Sequence, residues 1–182
     1  AGGGSVKADN KGNCYVTGYI TYTIVNGIAK YTPATIKYGS NGDSIWTRLF
    51  LLPDTIDFSR ANDLILDDND NVFIPCNYTI KYDKNGNQLW YANNNQYMLK
   101  AVMFENNIYV SGGWGGLLEI SRIIGYNQYN GSLIFNQQYT TYTYPTSLLT
   151  FGGALYSAIS ANDSAILIKY SSNVIHINSD DS

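Results

Sequence analysis

The sequence predicts an all-β protein, a β-propeller of four four-stranded antiparallel blades, and three observations carry that expectation. The tripeptide Ile36-Lys37-Tyr38 returns as Ile80-Lys81-Tyr82, Ile124-Gly125-Tyr126 and Ile168-Lys169-Tyr170. The intervals 82 − 38, 126 − 82 and 170 − 126 are each 44 residues, a blade-sized period. The composition is that of strands: 17 Tyr and 17 Gly stand among many Ile, Thr and Val, and only 14% of residues are charged.

Each copy reads as strands a to d joined by hairpins. The first hairpin of copy one is Val6 to Asn13 followed by Cys14-Tyr15-Val16-Thr17-Gly18. Its counterparts are Leu64 to Asn71 before Val72-Phe73-Ile74-Pro75-Cys76, Ala101 to Asn107 before Ile108 to Gly112, and Leu148 to Gly153 before Ala154 to Ala158. The repeated Ile-Lys-Tyr is strand c. After it come Asn41-Gly42, Asn85-Gly86 and Asn130-Gly131, each preceding an apolar strand d that ends in Trp46, Trp90 or Phe135. An Asn-Gly pair between apolar runs predicts a tight hairpin with both residues at positive φ. The fourth copy lacks this pair and the Trp. The blades are expected at about 5–50, 63–91, 100–137 and 147–178 of a single domain spanning 1–182, since one four-stranded sheet cannot cover its own faces and must stack on a neighbour.

The stretch Asp9-x-x-Gly12-Asn13-x-Tyr15-Val16-Thr17-Gly18, then Ala34-Thr35-Ile36-Lys37-Tyr38 and Gly42-x-x-Ile45-Trp46, resembles the bacterial β-propeller repeat family of the SBBP type. Copy two matches at Asp67, Asn71-Val72-Phe73 and Ile80 to Trp90. The resemblance spans nearly the whole chain and its motifs specify blades. It implies a secreted or cell-surface protein, in a family whose members usually carry more than four blades. Because the repeats are in phase with the termini, three arrangements stay open: a closed four-blade ring, which is favoured, half of a dimeric eight-bladed ring, or a piece of a longer propeller.

Net charge of −3, with 11 dispersed Lys and Arg, gives no cationic field for nucleic acid. No apolar run reaches the roughly 18 residues of a membrane span. Ala1-Gly2-Gly3-Gly4-Ser5 has neither the charge nor the apolar stretch of a signal peptide and reads as a processed terminus. Cys14 and Cys76 fall at opposite ends of equivalent strands, which predicts two buried free thiols rather than a disulfide.

Catalytic constellations are absent from the pattern: the single histidine, His176, falls in the expected outermost strand of the last copy and reads as a surface residue, a triad needs a base and an orienting partner, and no zinc cluster or phosphate loop occurs. No enzyme activity is expected. No cofactor is expected either. Calcium is the one metal left open, through the alternate oxygen ligands of Asp83-x-Asn85-x-Asn87, Asp67-x-Asn69-x-Asn71 and Asp68-x-Asp70, although the same residues are what tight turns require. Sequons at Asn77, Asn130 and Asn162 fall in expected turns, where a glycan would project.

Loops joining b to c and d to a share one face of a propeller, and there the copies diverge. Copy one inserts Tyr19 to Pro33, with Tyr22 and Lys30; copy three inserts Gly112 to Glu119, with Trp114. The connections Leu51 to Asn62 and Tyr139 to Pro145 add Arg60, Tyr142 and Tyr144. Rigid amphipathic rings suit recognition of protein or sugar, so Trp114, Tyr22, Tyr142, Tyr144 and Arg60 are the candidate ligand-binding residues. The expected function is a non-enzymatic extracellular or cell-surface binding module for glycan or protein. The alternative is a structural subunit of a surface filament, appendage or layer, or a homo-oligomer completing an eight-bladed ring.

Overall fold

The computed structural model describes residues 1–25, 28–51, 59–114, 120–140, 145–161, 164–171 and 174–179. These residues form sixteen strands and no helix. Blade 1 comprises β1 (Gly2–Ala8), β2 (Cys14–Val25), β3 (Ile28–Tyr38) and β4 (Ser44–Leu49). Blade 2 comprises β5 (Ile65–Leu66), β6 (Val72–Pro75), β7 (Tyr78–Tyr82) and β8 (Gln88–Asn93). Blade 3 comprises β9 (Tyr97–Phe104), β10 (Asn107–Trp114), β11 (Ile120–Asn127) and β12 (Leu133–Thr140), and blade 4 β13 (Pro145–Phe151), β14 (Ala154–Ala161), β15 (Ser164–Ser171) and β16 (Val174–Ser179). Every sheet is a simple antiparallel meander in chain order. The chain divides into two compact units, Ala1–Asn95 and Gln96–Ser182, each with two blades.

The repeat is visible as a register column. The aromatic residue of strand b pairs across to the Lys position of strand c: Tyr15 with Lys37, Phe73 with Lys81, Tyr109 with Gly125 and Tyr156 with Lys169. That position in turn pairs with Trp46, Trp90, Phe135 and His176 on strand d. The Lys37, Lys81 and Lys169 ammonium groups lie 4.8, 4.7 and 5.9 Å from the rings of Tyr15, Phe73 and Tyr156. A cation over a ring face is attracted by the ring quadrupole, which lets a lysine sit at a buried position. In blade 3 the lysine is replaced by Gly125, and a Cβ there would stand 2.7 Å from the Tyr109 ring, which fills the vacated space. His176 is the register equivalent of the two tryptophans.

Strands β4 and β8 alternate identically, with Trp46 and Trp90 buried between exposed neighbours, whereas every residue of β7 is buried. The first unit's core gathers Tyr15, Trp46, Leu64, Ile74, Ile80 and Tyr82. The second gathers Ile123, Leu155, Ile168 and Tyr170, with Tyr109 and Phe135 packed against them. In both units the strand d ring of one blade meets the strand c tyrosine of the next: Trp46 and Tyr82 have centroids 6.3 Å apart, Phe135 and Tyr170 5.4 Å. Blade 1 also grips the β7–β8 turn through polar contacts. Trp46 Nε1 and Lys37 Nζ both donate to the Lys84 carbonyl at 3.1 Å, and Arg48 Nε donates to the Gly86 carbonyl.

Two expectations change, and one segment for which no strand was expected is in a sheet. The glycine-rich start is the beginning of β1, in register from Gly2 opposite Tyr19, and a Cβ on Gly18 would lie 2.1 Å from the Gly2 carbonyl oxygen. Strand-to-strand approach therefore requires the glycine of the Val-Thr-Gly motif. The Asn-Gly hairpins are not two-residue turns with both φ positive. At Gly39–Asp43 and Asp83–Asn87 only the glycine, Gly42 or Gly86, is left-handed, and the end residues of each turn bond to one another through backbone (Gly39 N to Asp43 O, Asp83 N to Asn87 O). This is a type I turn followed by a left-handed residue. The sequence signal was right about the hairpin and wrong about its geometry. Finally, Cys76 is buried but Cys14 only half-buried, and both are free thiols.

Gly42 and Gly86 have φ of +88° and +82°, but a Cβ on Gly42 meets open space while one on Gly86 stands 2.9 Å from Trp46 Cδ2. Gly42→Ala should cost about 1–2 kcal/mol of left-handed strain alone. Gly86→Ala should cost that and about 1–3 kcal/mol more for displacing the ring. Urea unfolding of the two variants checks this; equal losses would show that Trp46 does not depend on the bare turn.

Candidate binding surface

The insertion Tyr19 to Pro33 is a continuation of two strands rather than a loop. Past the last β1 pair, Gly2 with Tyr19, and the last β4 pair, Ala34 with Leu49, strands β2 and β3 run on together through Ile20–Thr32, Thr21–Tyr31, Thr23–Lys30, Ile24–Ala29 and Val25–Ile28. A two-stranded ribbon thus projects from a four-stranded blade, with a bulge at Tyr22. Bulges bend a ribbon and re-aim side chains. Tyr22 is 58% and Ile24 66% exposed, comparable with Val6 in β1 and Phe151 in β13.

The ribbon's base is held by aromatic and backbone contacts. The Tyr19 and Tyr31 rings meet edge to face at 5.3 Å, and the Arg60 guanidinium lies 4.6 and 4.9 Å from their centroids. Ser59 N donates to the Tyr31 carbonyl at 3.3 Å, Phe50 N to the Pro33 carbonyl at 3.0 Å, and the Thr32 hydroxyl to the Phe50 carbonyl. Phe50 in turn packs on Tyr78 and Tyr91 at 5.4 and 5.3 Å. Arg60, expected as a ligand-binding residue, lies over the two rings at the ribbon's base. Tyr22 stands in the open.

Trp114 ends β10, its backbone in register with Ile120; Tyr142 and Tyr144 lie outside the described residues. So does Asn162. Of the other sequons, Asn130 is exposed in the β11–β12 turn, whereas Asn77 is only 6% exposed between β6 and β7. Its backbone N–H donates to Ser59 Oγ at 3.4 Å and its carbonyl accepts from Asn94 N at 3.0 Å, so this turn packs inward. Beside it the Cys76 thiol is pushed up to about 11 by burial, which keeps it protonated and unreactive at neutral pH.

The acidic turns share one construction. In each of Asp9–Asn13, Asp67–Asn71 and Asp83–Asn87, one carboxylate oxygen accepts two backbone N–H bonds at 2.8–2.9 Å, from the residues two and four positions on. The other accepts the amide Nδ2 of the closing asparagine at 2.8 Å. The closing asparagines thus turn their nitrogen to the carboxylates, and the carboxylates close hairpins. Asp70 takes the position held by Gly12 in blade 1, with φ +63°, and pairs with Lys11 at 2.9 Å between the two turns. Asp67 also faces the buried Lys81 ammonium at 3.6 Å, whose pKa burial lowers in spite of that partner.

No protein-family model and no curated protein sequence matches the chain. Solved structures do. BamB from Moraxella catarrhalis superposes with a TM-score of 0.63 at 12% identity, over 96% of this chain and 48% of the other. A protein of unknown function from Bacteroides caccae gives 0.60 at 11% identity, over 98% of this chain and 67% of the other. The chain spans about half the length of the BamB chain it matches. With four four-stranded antiparallel meanders and these neighbours, the fold is that of a β-propeller.

Burial raises the Asp83 carboxyl, but the bonds from Asn87, Asn85 and Gly86 outweigh it and hold its pKa below the usual carboxylate range. A depressed folded pKa means that the stabilisation is present above the unfolded value and is lost as pH falls through the folded one. Asp83→Asn should therefore cost about 1 kcal/mol at pH 7. The gap to the native chain should close on acidification below the usual carboxylate range. Denaturant midpoints at pH 7 and in that acid range check the sign; a gap that stays constant would show that the carboxylate charge closes nothing.

Proposed function

We propose that this propeller is a non-enzymatic binding module of the bacterial cell surface or extracellular space, engaging a protein or glycan through the ribbon of β2 and β3. The observation that carries the reading is the ribbon itself: an addition to one blade of a repeated scaffold, with Arg60 over Tyr19 and Tyr31 at its base and Tyr22 and Ile24 exposed beyond it. Rigid aromatic side chains on preorganised backbone bind at low entropic cost. The described acidic residues that recur with the blades are engaged in hairpins, which favours a scaffold over a catalyst. The reading requires no cofactor. The surface or secreted location rests on the likeness of Asp9 to Gly18 and of Ile36 to Trp46 to SBBP-type repeats. Trp114, Tyr142 and Tyr144 remain proposed contacts on the remaining divergent loops.

The test is a screen of the purified chain against immobilised glycans and bacterial surface proteins, repeated with Tyr22→Ala and with Trp114→Ala. Because Tyr22 is exposed, its variant should keep the native unfolding midpoint and lose binding at least about tenfold, the loss of one aromatic anchor. Binding unchanged in both variants would refute recognition through these residues.

A further inference from the structure

Blades 1 and 2 repeat one polar trio, Asp9, Asn13 and Lys37 in the first and Asp67, Asn71 and Lys81 in the second, but differ in what meets the carboxylate. In blade 1 Asp9 Oδ2 accepts from Asn13 Nδ2 at 2.8 Å and has the Tyr15 hydroxyl at 3.5 Å, while Lys37 Nζ donates to the Lys84 carbonyl. In blade 2 the ring at that place is Phe73, which has no hydroxyl. Asp67 Oδ2 there meets Asn71 Nδ2 at 2.8 Å and the Lys81 ammonium at 3.6 Å. An amine and a carboxamide thus converge on one carboxylate oxygen.

The strand pairing holds all three groups together. Side chains two apart along a strand share a face, so Asn71 lies on the side of Phe73, which pairs with Lys81. The other oxygen of Asp67 is anchored by the N–H groups of Asn69 and Asn71, both at 2.9 Å. The Lys81 and Asp67 side chains are only 4% and 8% exposed, and Nζ sits 4.7 Å from the Phe73 ring centre. Burial draws the Lys81 pKa down in spite of Asp67, which raises the share of the neutral, nucleophilic amine. Groups held in this way react within one molecule, without the entropic cost of meeting in solution.

We propose that Lys81 and Asn71 form an intramolecular amide bond, with Asp67 carrying the protons. The Lys81 Nζ–Asn71 Cγ bond forms and the Asn71 Cγ–Nδ2 bond breaks. Nζ gives up two protons through Asp67 Oδ2 and Nδ2 takes both, so ammonium leaves and Asp67 returns to the carboxylate. The product ties the β5–β6 turn to β7 as a covalent staple within blade 2. It goes beyond the binding reading and does not depend on it.

The test is the intact mass of the folded native chain, followed until constant, together with tryptic peptides of the denatured chain. The mass should fall below that of the sequence by one ammonia. Trypsin does not cut after an acylated lysine, so Ala61 to Lys84 should stay one peptide carrying the same loss. Lys81→Arg keeps a cation over Phe73 and should retain the mass of its sequence. Asp67→Asn, which removes the proton carrier, should keep its ammonia at least about a hundredfold longer than the native chain. A folded native chain that holds the mass of its sequence and is cut after Lys81 overturns the proposal. So does an ammonia loss that persists in Lys81→Arg, bond formation at the native rate in folded Asp67→Asn, or a loss of water from the Lys81 peptide, which would put the bond on Asp67 itself.

Discussion

The joint between successive blades rests on a ring. In the first unit Trp46 leaves strand d of blade 1, packs on Tyr82 of blade 2, and donates its indole N–H to the turn that follows Tyr82. In the second unit Phe135 packs on Tyr170 in the same relation, and the Tyr170 hydroxyl bonds instead to that of Tyr139, further along β12. Other features follow from seating that ring. The turn beneath Trp46 needs a glycine, Gly86, because a side chain would enter the indole. The Lys37 ammonium shares the Lys84 carbonyl with the indole, so the cation under Tyr15 within blade 1 is also a tie to blade 2. A meander with one face uncovered becomes a stable unit only through such a joint.

This explains why the 44-residue repeat could be read from sequence. Each recurring residue has a task tied to blade geometry: Ile in the core, Lys over the strand b ring, Tyr against the preceding blade's aromatic, Asp and Asn closing hairpins. Selection for those contacts leaves a periodic trace. Where a contact is made by exchange rather than repetition, the trace fades. Gly125 stands where lysine is expected because Tyr109 takes the space, and Asp70 does the work of a glycine in the β5–β6 turn.

The surface was less legible. Tyr19 to Pro33 breaks the repeat, and an interruption reads as a loop. The contrary signal was present in Ile24-Val25-Asn26-Gly27-Ile28, an Asn-Gly pair between β-branched residues, which by the same rule used for the other hairpins marks a strand pair. Arg60 was recognisable as a lone cation near aromatics but not as the cation over the ribbon's base, since Tyr19 and Tyr31 come into its reach only once β2 and β3 pair. Asn77 looked exposed because turns usually are; its turn is packed beneath Ser59 and Asn94. Sequence periodicity reports what is repeated, and recognition lies in what is added. The same division holds among the described residues, where a scaffold of engaged polar groups carries a projecting ribbon with Tyr22 and Ile24 exposed.

The claim that a strand d ring couples neighbouring blades is tested most directly by a double-mutant cycle on Trp46 and Tyr82, with Trp46→Leu, Tyr82→Leu and the double variant unfolded in urea. The ring contact predicts a coupling energy of about 1 kcal/mol, the double variant losing less than the sum of the single losses. Losses that add to within about 0.3 kcal/mol would mean that each ring only fills its own blade, and the joint would have to be sought elsewhere.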